Sequence, residues 1–337
     1  MEKIKWCVIG AGGIADRRTI PALIQDETNE LVAIMEANAE IAKRVGDKYG
    51  VPYYLDEEEM FKNEECDAVY ISTPVFCHYR QAMLALKYGK HVFLEKPIAL
   101  NSIEGKELLD AAKKAGKILY IGYMMKFHNL HEKAKRIIKN DGVGQVSNVR
   151  MQFSCWYPDI PGAWRQNKKL GGGGAIMDLA VHCLDLADYI LKDEIKDVKA
   201  FYSTRTFNYE VDDSAVILFK TKGGVIGHID VNFNVPDVAS ISKLEVYGTK
   251  GYIYCNNTLS QEETGKLSHL YAPQGDYEAM QERKIIKPKN YKGKGTNLYL
   301  KQLQAFTKLI KKGKLDYSSA KRALRVQQLV DKIYAEN

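Results

Sequence analysis

The run Gly10-Ala11-Gly12-Gly13-Ile14-Ala15 constrains the fold of this chain more than any other feature. It follows Lys5-Trp6-Cys7-Val8-Ile9, an apolar stretch of strand character, and leads into residues with helical spacing as far as Ile24. A tight strand-to-helix turn of this composition is the Gly-x-Gly-x-x-Gly/Ala dinucleotide fingerprint, here with alanine third. Gly10 permits the turn, Gly12 lets the backbone approach a pyrophosphate, and Ala15 lets helix and strand pack closely. The helix N-terminus, beginning around Gly13 and Ile14, then offers its unpaired N–H groups to the anion.

Around this turn the first 123 residues alternate between two periodicities. Strand-like runs at 30–35, 68–71, 92–94 and 118–121 alternate with helical spacing at 39–49, 78–88 and 102–115. Alternation of this kind predicts βαβ units and a parallel sheet. Ligands of such sheets bind at the carboxyl ends of the strands, and three strand ends here carry polar groups. Glu36 ends the second strand about twenty residues past the glycines, where a carboxylate can accept both ribose hydroxyls of an adenosine. It would also repel a 2′-phosphate, which favours NAD over NADP; Arg17 and Arg18 are the cations that could reverse that preference. The third strand ends in Ser72-Thr73-Pro74, with His78 a turn further on. Thr73 and Pro74 are expected to line the nicotinamide side, and His78 to cap or touch the cofactor. The fourth ends in Glu95-Lys96-Pro97, a lysine flanked by a carboxylate and a backbone-fixing proline, as an ionisable group held for chemistry would be.

The pattern changes after Gly122. Helical spacing at 131–139 precedes strand-like alternation at 146–156, and helical spacing returns at 175–191. Strand-like runs then follow in series at 198–204, 215–221, 225–232 and 243–247, with Gly223-Gly224 as a hairpin turn. Strands in series suggest an antiparallel sheet with one face to be covered, by the helix at 175–191 or by a second copy of the chain. The tail at 297–334 reads as two helices split near Gly313, while residues 258–295 are polar and poorly patterned. The expected division is a dinucleotide-binding domain at 1–123 and a substrate and assembly domain at 124–337, whose final helices can return to the first domain. A length of 337 residues suits two such cores.

Asp178 and His182 are four apart in the helical stretch, which places them on one face. An aspartate beside an imidazole orients it and stabilises its protonated form, as a general base requires. Upstream, Trp164 could stack on a sugar ring and Arg165 could bind a carboxylate or order the loop. The run Gly171-Gly172-Gly173-Gly174 lets backbone come close to something at the helix N-terminus, a substrate or the nicotinamide domain.

Composition excludes several other classes. The net charge of +7 owes much to lysines between Lys284 and Lys314, spread as a solvated surface would be, and no basic-aromatic nucleic-acid reader accompanies them. Six scattered cysteines with no Cys-x-x-Cys spacing predict neither a disulfide framework nor a zinc ribbon, and no metal site is expected. No apolar run approaches the roughly 20 residues needed to span a bilayer, and the first residues lack a signal peptide's pattern, so the expected location is the cytoplasm.

Taken together the motifs resemble the Gfo/Idh/MocA family, named for glucose–fructose oxidoreductase, inositol dehydrogenase and rhizopine catabolism proteins. The likeness rests on the glycine turn, Ser72-Thr73-Pro74 with His78, Glu95-Lys96-Pro97, and Gly172-Gly173-Gly174-Ala175-Ile176-Met177-Asp178 leading to His182. It implies an α/β chain: an N-terminal Rossmann parallel sheet, then a C-terminal α+β domain with a large, mostly antiparallel open sheet. By the same resemblance that sheet forms the interface of a homodimer or homotetramer, and the Lys96–Pro97 bond is cis. Lys96, Asp178 and His182 match the family's catalytic lysine, aspartate and histidine. The implied activity is hydride transfer between NAD and a secondary alcohol of a sugar, sugar derivative or cyclitol. Either His182 or Lys96 then moves the proton. Two other activities stay open on sequence, a redox-neutral NAD-dependent glycoside hydrolase and a non-catalytic NAD-binding regulator.

Overall fold

The computed structural model describes residues 2–273, 275 and 285–336 and divides the chain into two compact units. The first comprises Met1–Tyr123, Ala163–Gly172 and Tyr299–Asp331; the second comprises Met124–Gly162, Gly173–Leu298 and Lys332–Asn337.

In the first unit six strands form one sheet in the order β3-β2-β1-β4-β5-β6. They are β1 (Ile4–Ile9), β2 (Asn29–Met35), β3 (Tyr53–Tyr54), β4 (Ala68–Ile71), β5 (His91–Leu94) and β6 (Leu119–Ile121). Every pairing is parallel. All of β4 and β6, and β5 beyond its first residue, are buried, as strands sandwiched between helices must be. Helix boundaries follow capping chemistry. Asn38 accepts from Glu40 and Ile41 to start Ala39–Tyr49, and Asn101 accepts from Glu104 to start Ser102–Ala115. Left-handed Gly50 and Gly116 end the same two helices. The helix predicted from His78 begins three residues earlier, at Val75, directly after Pro74.

The last part of the chain completes this core. Phe306 lies 5.3 Å from Trp6, 5.5 Å from Phe93 and 5.7 Å from Tyr120, ring centre to ring centre. Asn29 Oδ1 accepts both Trp6 Nε1 and Thr307 Oγ1 at 2.9 Å. Ser319 Oγ accepts the Ile121 N–H at 3.0 Å, which satisfies backbone on the edge strand β6.

The second unit holds eight strands in the order β14-β13-β12-β11-β7-β10-β9-β8. These are β7 (Val146–Ser154), β8 (Ile195–Ser203), β9 (Ser214–Thr221), β10 (Ile226–Asn232), β11 (Lys243–Gly248), β12 (Gly251–Asn256), β13 (Lys266–Tyr271) and β14 (Lys289–Lys292). All neighbours are antiparallel except β7 and β10, which run parallel. Along β9, Ala215, Ile217, Phe219 and Thr221 are buried and the residues between them face outward. The helices Asn129–Lys139 and Val181–Leu191 pack together, and the latter packs on β7 and β8. Strand-like spacing missed β12, β13 and β14. Two of these lie in the stretch read as unpatterned, where Leu267 is the one fully buried side chain of β13. Lys284, the first of the lysine-rich segment, lies outside the described residues. Among the described residues no helix is long and apolar enough to cross a membrane.

Candidate active site

Gly10 adopts φ +76°, and a Cβ there would sit 2.8 Å from Thr73 N. The glycine turn and the Ser72-Thr73 loop therefore meet backbone to backbone, joined by Ser72 Oγ donating to Gly10 O at 2.9 Å. A side chain at Gly10 would break this contact as well as strain the turn. Gly13, at φ +54°, faces open space. Glu36 is held across the turn, with Oε2 accepting from Gly12 N at 3.1 Å and Oε1 from Asn38 N at 3.2 Å. Arg17 bends back to the Gly13 carbonyl at 3.2 Å, and the charge of Arg18 is felt by Tyr299. Close-packed glycines, an open space beyond Gly13 and a fixed carboxylate at the β2 end fit an NAD-type dinucleotide.

At the next strand end Thr73 Oγ1 donates to Gln81 Oε1 at 2.6 Å. His78 is 1% exposed, with Nδ1 2.9 Å from Pro97 O and Nε2 2.9 Å from Thr73 O. Its two ring nitrogens thus lie between carbonyls of the two loops, and the neutral ring can donate to one of them. Burial lowers its pKa to about 4 against the pull of the two carbonyls. In the second unit His131 is equally buried, between Met125 O at 2.8 Å and Thr258 Oγ1 at 2.9 Å, and burial lowers it to about 3.

These two histidines predict an acid-sensitive fold. The unfolded chain takes up their protons near 6.5, whereas the folded chain resists until about 4 and about 3. Between those limits the unfolded state binds more protons, so their contribution is whole above pH 6.5 and is lost as pH falls. The denaturation midpoint should drop steadily from pH 7 to pH 4, and less so in His131→Gln. A midpoint flat across that range would contradict the assignment.

The Lys96–Pro97 bond is cis. Glu95 Oε1 accepts from Tyr70 Oη at 2.7 Å, and Oε2 accepts the Lys96 N–H at 3.3 Å. Trp164 and Arg165 belong to the same unit, with the guanidinium 4.2 Å from the indole centre. The Arg165 charge is felt by both Glu95 and His78, which places the guanidinium within electrostatic reach of that strand end.

Asp178 and His182 belong to the second unit. Asp178 sits in a π-helical turn, Ile176–Ala180, which continues as the α-helix Val181–Leu191. That wide turn departs from the regular four-residue spacing expected of the pair, and π turns of this kind are frequent at functional sites. His182 is buried, edge-on to Phe153 with ring centres 6.4 Å apart.

The glycine run has an occupant that the sequence did not suggest. A Cβ at Gly173 would lie 2.0 Å from Tyr334 Oη, and one at Gly174 would lie 1.9 Å from Asp212 O. Asp212 accepts from Gly174 N at 3.0 Å, Ile176 N at 2.8 Å and Tyr334 Oη at 2.6 Å. A buried protein carboxylate thus occupies the helix N-terminus where a close approach by a substrate or the nicotinamide domain was expected. Tyr70, Asp212 and Tyr334 escaped the sequence reading. Tyr70 had one local signal, a hydroxyl inside an otherwise aliphatic strand.

The model of an oxidoreductase family with an NAD-binding Rossmann fold matches residues 4–123, and that of the GFO/IDH/MocA C-terminal domain matches residues 131–254. The chain belongs to the Gfo/Idh/MocA oxidoreductases and is an NAD(P)-dependent enzyme of that family. It is 27% identical to 1,5-anhydro-D-fructose reductase of Ensifer adhaerens over 266 residues, 78% of this chain and 79% of that protein. It is 25% identical to D-xylose 1-dehydrogenase (NADP(+)) 2 of Haloferax volcanii over 328 residues, 97% and 95% of the two chains. Among solved structures, aldose-aldose oxidoreductase of Caulobacter crescentus, complexed with glycerol, superposes with a TM-score of 0.87 at 25% identity. That match covers 99% of this chain and 97% of the other.

Proposed function

We propose that this enzyme oxidises a secondary alcohol of a sugar, sugar derivative or cyclitol, or reduces the corresponding ketone, with NAD as cofactor. The observation that carries the reading is the lysine of Glu95-Lys96-Pro97, anchored at the strand edge that also bears the glycine cradle. The names of the two relatives, a sugar reductase and a sugar dehydrogenase, support net redox chemistry over hydrolysis or a purely regulatory role. Gly10, Gly12, Gly13 and Ile14 would hold the pyrophosphate, Glu36 the adenosine ribose, and Thr73, Pro74 and Glu95 the nicotinamide end. Bound there, the nicotinamide supplies the carbon that takes up or gives back hydride. His182 takes the hydroxyl proton, Asp178 stabilises the resulting imidazolium, and Lys96 donates a hydrogen bond to the oxygen as it becomes a carbonyl. Trp164 and Arg165 bind the rest of the substrate. A panel of sugars, inositols and sugar acids offered with NAD⁺ and NADP⁺ tests the reading; failure of every polyol to reduce either cofactor would count against it.

Preference for NAD follows from Glu36. A 2′-phosphate brought to ~4 Å of its carboxylate meets a repulsion of about 4 kcal/mol at an effective dielectric near 20. Arg17 is engaged at Gly13, which leaves the charge at Glu36 without an offset from that side chain. Glu36→Ala should therefore lower kcat/KM with NAD⁺ and raise it with NADP⁺. If the ratio of the two values stayed unchanged, Glu36 would not be the discriminator.

The outward face of the eight-stranded sheet suits a second copy of the chain. Phe201 is 85% exposed, and Val216, Leu218 and Ile226 are about half exposed on the strands beside it. Toward the middle of that face, Arg150 and Glu245 form an ion pair at 3.9 Å. An apolar flank with a charged centre fits a self-complementary contact in a homodimer or homotetramer. Phe201→Asp should lower the mass measured by light scattering, whereas an unchanged mass would place the interface elsewhere. Six free thiols suit a reducing cytoplasmic setting.

A further inference from the structure

Tyr70 is fully buried in β4, between Val69 and Ile71. A phenol in such a place needs a partner for its hydroxyl, and this one has two. Thr19 Oγ1 donates to Tyr70 Oη at 2.9 Å, and Tyr70 Oη donates to Glu95 Oε1 at 2.7 Å. An ionised carboxylate only accepts, so the direction is set: threonine to phenol, phenol to carboxylate. Thr19 closes the π-helical turn Ala15–Thr19 that follows the glycine loop. A line of hydroxyls therefore connects that turn to the strand end bearing Lys96.

Glu95 is surrounded by groups that respond to its charge. Burial raises its pKa above the ordinary carboxylate range, while Tyr70, Lys96 and Arg165 pull it back down. Tyr299, on the helix Leu298–Lys311, is raised by its own burial and then by the Glu95 charge, with Arg18 and Arg17 opposing. The groups facing Glu95 are thus Tyr70 from β4, Lys96 from its own loop, Arg165 from the turn Trp164–Gln166 and Tyr299. Gly122 leaves room for the carboxylate, since a Cβ there would lie 3.0 Å from Oε1.

We propose that Tyr70 is a positioning residue whose hydroxyl, aimed by Thr19, keeps the Glu95 carboxylate charged beside Lys96. The proposal rests on the reading of Lys96 as the group that holds the substrate oxygen. A charged Glu95 gives the Lys96 backbone N–H an ionic acceptor, which fixes the backbone that carries the lysine. Protonating Glu95 weakens that support. Phe at position 70 keeps the ring and its edge-on packing against Phe93 but removes the donor.

The direct test titrates Glu95 itself by isotope-edited infrared spectroscopy, with Glu95→Gln as the blank. Tyr70→Phe should raise the Glu95 titration by about one to two pH units, the scale of a lost hydrogen bond to a charged group. Thr19→Val should move it less and in the same direction, and carries the test alone if Tyr70→Phe does not fold. In kinetics, Tyr70→Phe should lower kcat/KM in the wild-type background and add little in Glu95→Gln, because its effect runs through Glu95. An unmoved Glu95 titration, or full additivity with Glu95→Gln, overturns the proposal. Failure of the wider functional reading would look different: Lys96→Ala would keep its turnover while Tyr70→Phe still shifted Glu95.

Discussion

Lys96→Ala should lower kcat by about 10²-fold or more, the scale of losing a positioned proton-transfer or oxyanion-holding group. Cofactor affinity should change little, because the cradle at Gly10, the carboxylate at Glu36 and the loop at Thr73 do not depend on the lysine side chain. His182→Ala should cost a similar factor by removing the proposed proton acceptor. If both residues act on the same alcohol, their losses will not add, since each presupposes the geometry that the other maintains. Lys96→Arg keeps a positive charge but replaces a compact ammonium with a planar fork, so it should recover only part of the turnover. Near-normal turnover by either alanine variant on the true substrate would remove that residue from the chemistry.

Asp212→Ala should produce the largest loss of stability in the second unit. The carboxylate is buried and accepts from the N–H groups of Gly174 and Ile176, at the start of the helix, and from the Tyr334 hydroxyl. Removing it strands three donors away from water, at about 1–3 kcal/mol for each that finds no substitute. The close approach of Tyr334 and of the Asp212 backbone to Gly173 and Gly174 limits how far water can enter. A net cost of about 3–5 kcal/mol is expected, with Tm lower by about 5–10 °C. Asp212→Asn keeps one acceptor oxygen and should lose less. Because this helix carries Asp178 and His182, kcat should fall together with Tm. A Tm within a degree of wild type would show that the carboxylate does not anchor the helix.

Much of the first unit was legible because its signals are local. Ala39–Tyr49 and Ser102–Ala115 fall where the spacing predicts, since an asparagine starts and a glycine ends each helix. The glycine turn and the strand ends at Glu36, Thr73 and Lys96 were readable for the same reason. Tyr53–Tyr54 was invisible because two residues carry no period. The strands β13 and β14 escaped because their sequences are mostly polar, with Leu267 the one fully buried side chain of β13 and none buried in β14. The return of Phe306, Thr307 and Ser319 to the first sheet depends on partners from the other end of the sequence.

The proposed reactive groups, Lys96, Asp178 and His182, announce themselves in the sequence by residue type, whereas the groups packed around them are chosen by tertiary structure. His78 illustrates the difference: its place after Ser72-Thr73-Pro74 marked it in the sequence, whereas its position between the Thr73 and Pro97 carbonyls is set by packing. The glycine run was read as a close approach to a substrate or to the nicotinamide domain, and what approaches Gly173 and Gly174 is Tyr334 and Asp212. Glycine marks a close approach without naming what approaches.

The central claim is net hydride transfer between NAD and a sugar-type alcohol, and oxidation is the direction that tests it. Its most direct test is the stoichiometry of reduced cofactor to product for the best substrate in the panel, followed by absorbance and by product analysis in one reaction. One NADH should accumulate for each ketone formed, and the yield should fall with kcat in Lys96→Ala and His182→Ala. Product formed with no accumulation of NADH would contradict the account and point to redox-neutral chemistry at the same cradle.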